Sequence, residues 1–343
     1  MPSDGAEGVG VGMTGAEKVL VTGAGGFTGA ALTKRLVANG ARPRVMVRSK
    51  KRWESLGIEG AEVLEGSVTD RDAVGRAVQG IDVVFHLASV YRQAGLTASA
   101  YREVHVAGTR NLCEAARSVG VRRLVHCSSI GVHGHVEKPP ADETYRFSAG
   151  DVYQRTKLQG EQEARAFHDA ANLPVTVIRP TAIYGPGDDR LLKVFHLANR
   201  DRPILLGDGE VYYHMVHVED LVDGFLLAAA EEKAVGEVFI IGGEDYLTLN
   251  QLVAKIAALL GRKGKIVHMP VRPFQVLGTV CEKTLIPLGI TPPIYRRRID
   301  FFTKSRAFSI DKARRILGFD PKIPLHEGLA ETVGAYRERG WIK

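Results

Sequence analysis

A glycine-rich turn near the start of the chain is the feature that most constrains its fold. The β-type run Lys18 to Thr22 leads directly into Gly23-Ala24-Gly25-Gly26-Phe27-Thr28-Gly29, and a helical pattern from Ala30 to Asn39 follows. A strand, a glycine turn and a helix in that order bring backbone N–H groups to the helix N-terminus, where a diphosphate is stabilised. A second β-type run, Arg44 to Val47, completes a βαβ unit. The glycines alone would fit any tight turn, but this context predicts a dinucleotide site.

The alternation of strands and helices continues beyond this unit. Residues 61–66, 82–89 and 122–129 have the composition of strands, and helical patterns over 71–79 and 101–119 separate them. Such alternation predicts a parallel sheet with right-handed crossovers. We therefore predict an α/β protein with a Rossmann-type doubly wound parallel sheet and a smaller C-terminal substrate lobe.

The expected division of the chain follows from these patterns. Residues 1–17 are rich in glycine and should form a flexible tail. Residues 18–180, with returning segments near 215–245, should form the dinucleotide-binding domain, and residues 181–343 mostly the substrate lobe. No secretory leader or long apolar span is found, so we expect a cytoplasmic protein.

Charge and cysteine content exclude several classes of function. The net charge is +7, but the basic residues form only short groups such as Arg296-Arg297-Arg298, so we do not expect a nucleic-acid partner. Three cysteines without paired spacing, Cys113, Cys127 and Cys281, argue against a disulfide framework or a zinc site. We therefore predict no metal.

The end of the second strand should choose between NAD and NADP. An acidic residue at this position accepts the ribose 2′-hydroxyl, whereas a basic residue accommodates a 2′-phosphate. The sequence here is Val47-Arg48-Ser49-Lys50-Lys51-Arg52, without a carboxylate. A solvated basic loop would look the same, but the pattern favours NADP over NAD, with Arg48 as the main phosphate contact.

A tyrosine and a lysine four residues apart are candidates for the chemistry. Tyr153 and Lys157 lie in a helical pattern, where side chains at i and i+4 are neighbours. A cation so close favours the ionised phenolate, which could exchange a proton with an alcohol or a carbonyl. Ser128 and Ser129 end the predicted strand 122–129, at the sheet edge where ligands bind. One of the two serines should hold the reacting oxygen.

These motifs, in this order, resemble the extended branch of the short-chain dehydrogenase/reductase superfamily, which includes the NAD-dependent epimerase/dehydratase family. The resemblance also rests on His86-Leu87-Ala88, on Arg179-Pro180 followed by Tyr184-Gly185-Pro186, and on Val216-His217-Val218-Glu219-Asp220. It implies that Tyr153 is the general acid/base, that Lys157 holds the nicotinamide ribose, and that Ser129 orients the substrate oxygen, with Ser128 as the second choice. Cofactor contacts expected in this frame are Gly23, Gly25, Gly26, Phe27, Thr28, Gly29, Arg48, Val68, Leu87, Ala88, Ser89, Tyr153, Lys157, Pro180 and Ile183.

One position departs from the family pattern. His105 occupies the place where the family usually has asparagine, which puts any proton-relay or helix-kinking role of that asparagine in doubt. We expect a structural role for His105, with a relay as the alternative.

Two branches of the family compete for the substrate. Nucleotide-sugar enzymes usually carry an asparagine and an arginine for the substrate diphosphate, but Ala182 and Tyr213-His214-Met215 stand at those positions. The region Pro270 to Phe302 contains an apolar run from Phe274 to Ile294, and it resembles the same region of members similar to 3β-hydroxysteroid dehydrogenases and dihydroflavonol reductases. A covered helix–helix packing face would have the same composition. Substrate contacts are expected from Tyr91, Tyr184, Tyr212, Tyr213 and His214.

The sequence thus predicts an NAD(P)-dependent oxidoreductase acting on a secondary alcohol or ketone of a largely apolar, steroid-like or flavonoid-like substrate. A nucleotide-sugar epimerase with tightly held NAD is the alternative, and a non-catalytic cofactor-binding scaffold is the least favoured reading. A peripheral membrane contact through the apolar run and Arg296-Arg297-Arg298 is a minor alternative. The resemblance implies a homodimer formed by the helices that carry Tyr153 and Asn111.

Overall fold

The computed structural model describes residues 17–91, 96–285 and 296–342. The strands are β1 (Val19–Thr22), β2 (Arg44–Val47), β3 (Glu62–Glu65), β4 (Val83–His86), β5 (Arg123–Cys127), β6 (Val175–Pro180), β7 (Ala182–Tyr184), β8 (Ile204–Leu206), β9 (Tyr212–His217), β10 (Val238–Ile241), β11 (Tyr246–Thr248) and β12 (Val267–Met269).

The α-helices are α1 (Phe27–Ala38), α2 (Lys50–Glu54), α3 (Arg71–Val78), α4 (Ala98–Arg102), α5 (Gly108–Val119), α6 (Val152–Ala171), α7 (Leu192–Ala198), α8 (Val218–Ala230), α9 (Leu249–Leu259), α10 (Val271–Leu285), α11 (Arg296–Thr303), α12 (Asp311–Leu317) and α13 (Leu325–Glu338). Among these described helices, none combines the length and the apolar character needed to cross a bilayer.

Seven parallel strands form the main sheet, in the order β3-β2-β1-β4-β5-β6-β10. The order reverses between β1 and β4, which creates the crevice where doubly wound sheets bind ligands. The near-continuous burial of β1, β4 and β6 reflects helices on both faces of the sheet. The predicted Rossmann-type fold is confirmed.

The C-terminal part of the chain adds two small sheets, β11-β9-β7 and β12-β8. An apolar core separate from the cores that flank the main sheet lies between α7, α9, α13 and these strands, and includes Phe195, Leu249 and Tyr336. Strand β10 returns to the main sheet and pairs with β6. The short strands β7, β8, β9, β11 and β12 had not been predicted.

Two predicted segments differ in the structure. The expected helix over 101–119 is broken by a π-helical turn, Glu103–Ala107, between α4 and α5. Glu17, assigned to the tail, forms an ion pair with Arg122 at 2.6 Å. The rest of the tail and residues 286–295 of the apolar run lie outside the described residues.

Three buried histidines line the sheet beside the expected site. His86 and His126 are neighbours on β4 and β5, with ring centres 5.2 Å apart, and His105 lies on the π-helical turn. His86 bonds to Thr22 and Thr109 at 2.8 and 3.0 Å, whereas neither ring nitrogen of His126 has a partner among the described residues. His126 therefore adds a desolvation cost with no hydrogen bond to offset it.

Acid should destabilise the fold through His126. Burial, and next the positive charge of Lys157, lower the pKa of His126 well below its usual value. The native ring then stays neutral while the unfolded ring takes up a proton below about pH 6.5, so stability is lost as the pH falls. We compare the free energy of unfolding, measured in urea, at about pH 8 and about pH 5. It should fall in the wild type, and in a His126→Leu variant this fall should be smaller by about 2 kcal/mol.

His326→Leu is the matched control, because the side chain of His326 is 71% exposed. It should keep the wild-type dependence of stability on pH. An unchanged dependence in His126→Leu would contradict the prediction.

Candidate active site

The glycine turn forms a tight cradle between β1 and α1. Gly23 has a φ of +73°, and a Cβ at this position would lie 2.6 Å from the backbone nitrogen of Ala88. A Cβ at Gly29 would collide with the carbonyl oxygen of Gly23, so α1 can approach the turn only with glycine there. A Cβ at Gly25 would meet nothing within 4 Å, which leaves its backbone facing open space.

This cradle fits a dinucleotide cofactor. Gly26 caps α1 without any side-chain hydrogen bond, so no side chain competes for the N–H groups of the first turn, which begins with Phe27 and Thr28. These donors and the helix dipole can hold a diphosphate. When bound there, a nicotinamide dinucleotide supplies the hydride carrier.

The remaining predicted cofactor residues lie around the same crevice. Arg48 is exposed directly after β2. Leu87, Ala88 and Ser89 follow β4, and Pro180 ends β6 with Ile183 on the adjacent β7. Val68 is buried, and its carbonyl accepts a hydrogen bond from Asn111 on α5.

Helix α6 brings Tyr153 and Lys157 to the carboxyl edge of the sheet. A capping box formed by Asp151 and Gln154 begins the helix and fixes the first turn, which contains Tyr153. The Tyr153 ring lies edge-on to the rings of Tyr91 and His105, at 5.3 and 5.6 Å between centres. The predicted tyrosine is thus half-buried among aromatic rings.

The Lys157 side chain is buried beneath this edge. Its ammonium group donates a hydrogen bond to the carbonyl oxygen of Cys127, the last residue of β5. Burial lowers the pKa of Lys157, while Cys127 and Glu161 act in the opposite direction. The cation therefore lies in a weakly solvated place, where its field is strong.

The two serines that follow β5 face in different directions. Ser128 is buried, and its hydroxyl donates to Glu161 Oε2 at 2.5 Å, under the helix. Ser129 is only partly buried, and its hydroxyl oxygen accepts the N–H of Gly131 at 3.0 Å, while its own proton is donated to none of the described residues. This geometry supports Ser129 over Ser128 as the residue that holds a substrate oxygen.

His105 connects helix α6 to the loop after β4. Its Nε2 accepts the backbone N–H of Val90 at 3.2 Å and is 2.9 Å from the Ser89 hydroxyl, so the ring proton is on Nδ1. That Nδ1–H donates to the Thr156 hydroxyl at 2.8 Å. Burial, and next the charge of Lys157, lower the pKa of His105 to about 2. The ring is a neutral bridge in a fixed tautomer.

Arg190 is a site residue that the sequence reasoning missed. Its guanidinium carbon lies 5.2 Å from the centre of the Phe27 ring and 5.7 Å from that of Tyr91. It thus reaches from the first residue of α1 towards Tyr153. Its position shortly after the Tyr184-Gly185-Pro186 segment is the signal that could have indicated it.

Comparisons with known proteins agree with this arrangement. The model of the NAD dependent epimerase/dehydratase family matches residues 19–242. The chain belongs to this family.

Similar proteins span nearly the full chain. A 2-alkyl-3-oxoalkanoate reductase of Stenotrophomonas maltophilia (strain K279a) is 30% identical over 326 residues, covering 91% of this chain and 97% of the relative. A 3 beta-hydroxysteroid dehydrogenase/Delta 5-->4-isomerase of Mycobacterium tuberculosis (strain CDC 1551 / Oshkosh) is 30% identical over 337 residues, covering 93% and 90%. The crystal structure of gox2253 has a TM-score of 0.80 at 29% identity, with coverage of 95% and 100%. The chain is therefore an NAD(P)-dependent enzyme.

In this family member, the side chains of four of the predicted substrate residues make contacts within the protein. Tyr184 is 2% exposed and packs edge-on against His217, and the hydroxyl of Tyr213 donates to the carbonyl oxygen of Phe301. His214 is 2% exposed, with its ring nitrogens bonded to Phe308 and Gly243. Tyr212 packs against Tyr246. The sequence motifs around these four residues do not indicate which way their side chains point. The fifth predicted residue, Tyr91, contacts the ring of Tyr153.

The hydrogen-bond bridge through His105 should affect kcat but not the pH dependence of the rate. A His105→Asn variant shortens the link between Val90 and Thr156, and kcat should fall by about 10- to 100-fold because Tyr153 loses its ring contact and its support. Since His105 is neutral in the native protein, the inflections of the pH–rate profile should stay where they are. Thr156→Val removes the same hydrogen bond but keeps the His105 ring, so kcat should fall less than in His105→Asn and the inflections should again stay where they are. A shifted inflection in His105→Asn would instead indicate a proton relay.

Proposed function

We propose that the protein is an NAD(P)-dependent oxidoreductase that transfers hydride between the nicotinamide and a secondary alcohol or ketone of a largely apolar substrate. The observation that carries this proposal is the convergence of Tyr153, Lys157 and Ser129 at the carboxyl edge of the sheet, beside the glycine cradle. Each residue type has a role that the geometry supports.

In this proposal Tyr153 moves the proton of the reacting hydroxyl group. Lys157, buried one turn further along α6, favours the phenolate through its charge. Ser129 donates its hydroxyl proton to the reacting oxygen and thereby fixes the oxygen opposite Tyr153. The rings of Phe27, Tyr91 and Tyr153 limit access of water to the reacting carbon.

An apolar substrate is favoured by the relatives and by the C-terminal lobe. The two relatives described above have names that refer to an alkyl-substituted oxoalkanoate and a steroid. On α10, Val276, Leu277 and Val280 are 64%, 46% and 50% exposed, so part of the predicted apolar run is not a covered packing face among the described residues. The substrate class, the homodimer, the membrane contact and the cytoplasmic location stay predictions.

Loss of the Tyr153 hydroxyl should abolish turnover. Tyr153→Phe should lower kcat by at least about 100-fold because proton transfer is lost, while the Kd of the cofactor changes little. Ser129→Ala should lower kcat/KM by about 100-fold or more. Ser128→Ala is the matched control and should keep a similar kcat, because its hydroxyl bonds to Glu161 under the helix. Near-normal turnover in Tyr153→Phe would refute the assignment.

The epimerase alternative is separable from this function. An epimerase that keeps its cofactor bound would convert UDP-sugars without added NAD(P), whereas the proposed oxidoreductase requires added cofactor for each turnover. A scaffold would bind the dinucleotide without turning over any member of an alcohol panel.

Arg48 should set the cofactor preference. It is exposed after β2 with no acidic residue beside it on that loop, and a guanidinium there can pair with the 2′-phosphate of NADP. Arg48→Ala should therefore raise the KM for NADPH by about tenfold or more and leave the KM for NADH unchanged. Arg52→Ala, which removes an exposed positive charge from the adjacent helix α2, is the control for general charge loss. A strong preference for NADH that Arg48→Ala does not alter would contradict the prediction.

A further inference from the structure

A guanidinium group lies beside the aromatic cluster that holds Tyr153. Arg190 stacks over the rings of Phe27 and Tyr91, and Tyr91 in turn contacts the ring of Tyr153. The charge of Arg190 also acts on the Cys127 thiol, at the end of β5 above Lys157. The proposed proton transfer does not involve Arg190.

The loop holds Arg190 in a defined place. Its Nε donates to Asp188 Oδ1 at 2.5 Å, and the side chain of Asp188 is 1% exposed. Asp188 also accepts the backbone N–H groups of Arg190 and Leu191, and its carbonyl oxygen accepts the Tyr336 hydroxyl. Anchored in this way, the guanidinium group is preorganised.

The outer face of this guanidinium group keeps donors to spare. Nη2 reaches the carbonyl oxygen of Ile183 at 3.4 Å, and Nη1 makes no hydrogen bond to any described residue. Burial disfavours the charged form, but Asp188, Tyr91 and Tyr153 outweigh this and raise the pKa of Arg190. With 25% of its side chain exposed, Arg190 offers a cation to a ligand at the reacting centre.

We propose that Arg190 binds a carboxylate of the substrate, carried on the carbon next to the reacting carbinol carbon, so that the substrate is a 3-hydroxy or 3-oxo carboxylic acid with an apolar remainder. This inference rests on the proposed oxidoreductase function. In the proposed binding mode the substrate oxygen is held by Tyr153 and Ser129. A carboxylate on the neighbouring carbon would then extend past the Tyr91 ring, which lies between Tyr153 and Arg190. A guanidinium group matches a carboxylate through two parallel N–H donors.

The cofactor diphosphate is the other anion within reach. Its expected place is the turn between Gly23 and Gly29, where the N-terminus of α1 already supplies donors. Arg190 lies over the Phe27 ring, on the side of the cradle that faces Tyr153. This placement favours the substrate carboxylate over the cofactor diphosphate as the ligand of Arg190. A measurement of cofactor affinity distinguishes the two.

The test compares a 3-hydroxy acid with its methyl ester, on the same apolar skeleton, in the wild type and in Arg190→Gln. The wild type should prefer the acid in kcat/KM by at least about tenfold. Arg190→Gln should lose about 10- to 100-fold on the acid and less than about threefold on the ester, the range of charge-assisted hydrogen bonds. The Kd of NADPH, measured by fluorescence titration, should stay the same.

Two further variants keep the result interpretable. Arg190→Lys retains the charge without the planar fork and should retain part of the preference for the acid. Arg200→Gln removes an exposed positive charge from the end of the same segment and should match the wild type on both substrates. Thermal unfolding of each variant checks that the loop has not collapsed.

Each other outcome overturns the proposal in a recognisable way. Equal losses on acid and ester with a weaker Kd for NADPH would place Arg190 on the cofactor diphosphate. Equal losses of kcat/KM on acid and ester with an unchanged Kd for NADPH would show that Arg190 only stabilises the loop or the Tyr153 phenolate. Turnover of the ester and of neutral alcohols with no preference for the acid would refute only the proposal that Arg190 binds a substrate carboxylate. No turnover of any alcohol would refute the proposed oxidoreductase function.

Discussion

A buried ion pair between Arg179 on β6 and Glu161 on α6 fixes helix α6, which carries Tyr153 and Lys157, to the sheet. Both side chains are 1% exposed, and Arg179 donates from Nε and Nη2 to the two oxygens of Glu161. Ser128 and His133 complete the cluster, which also bonds to the carbonyl oxygen of Glu143. Breaking such a pair leaves an uncompensated buried charge and costs about 3–5 kcal/mol. The register of α6 against β5 and β6 depends on this contact.

The rest of the site follows from that register. Lys157 lies one turn before Glu161 and so reaches the end of β5, and Tyr153 lies one turn earlier again, at the edge of the sheet. On another face of α6, Gly160 allows the carbonyl oxygen of His105 to approach more closely than a Cβ would permit. The π-helical turn presents that carbonyl and the His105 ring together, since it carries an extra residue per turn. Two independent contacts thus hold the same helix.

The sequence predicted what depends on local pattern and missed what depends on contacts through space. The glycine turn and the periodicity of the strands identified the main sheet and the family, because both are set by residues close together in the chain. The orientation of Tyr184, Tyr213 and His214 depends on β7 and β9 pairing in a small sheet of three-residue and six-residue strands, which periodicity cannot resolve. Arg190 was missed for the same reason, since the rings of Phe27 and Tyr91 that it contacts come from distant parts of the chain.

The electrostatics of the site also depend on the three neutral histidines around Lys157. Burial, and next the charge of Lys157, lower the pKa of His86 to about 3 and that of His105 to about 2. Neither imidazole can therefore act as a second cation, and neither supplies a counter-charge. Glu161 is the carboxylate that acts on Lys157, and it is already paired with Arg179. The positive charge of Lys157 is then only partly compensated, and a phenolate on Tyr153 would complete its neutralisation.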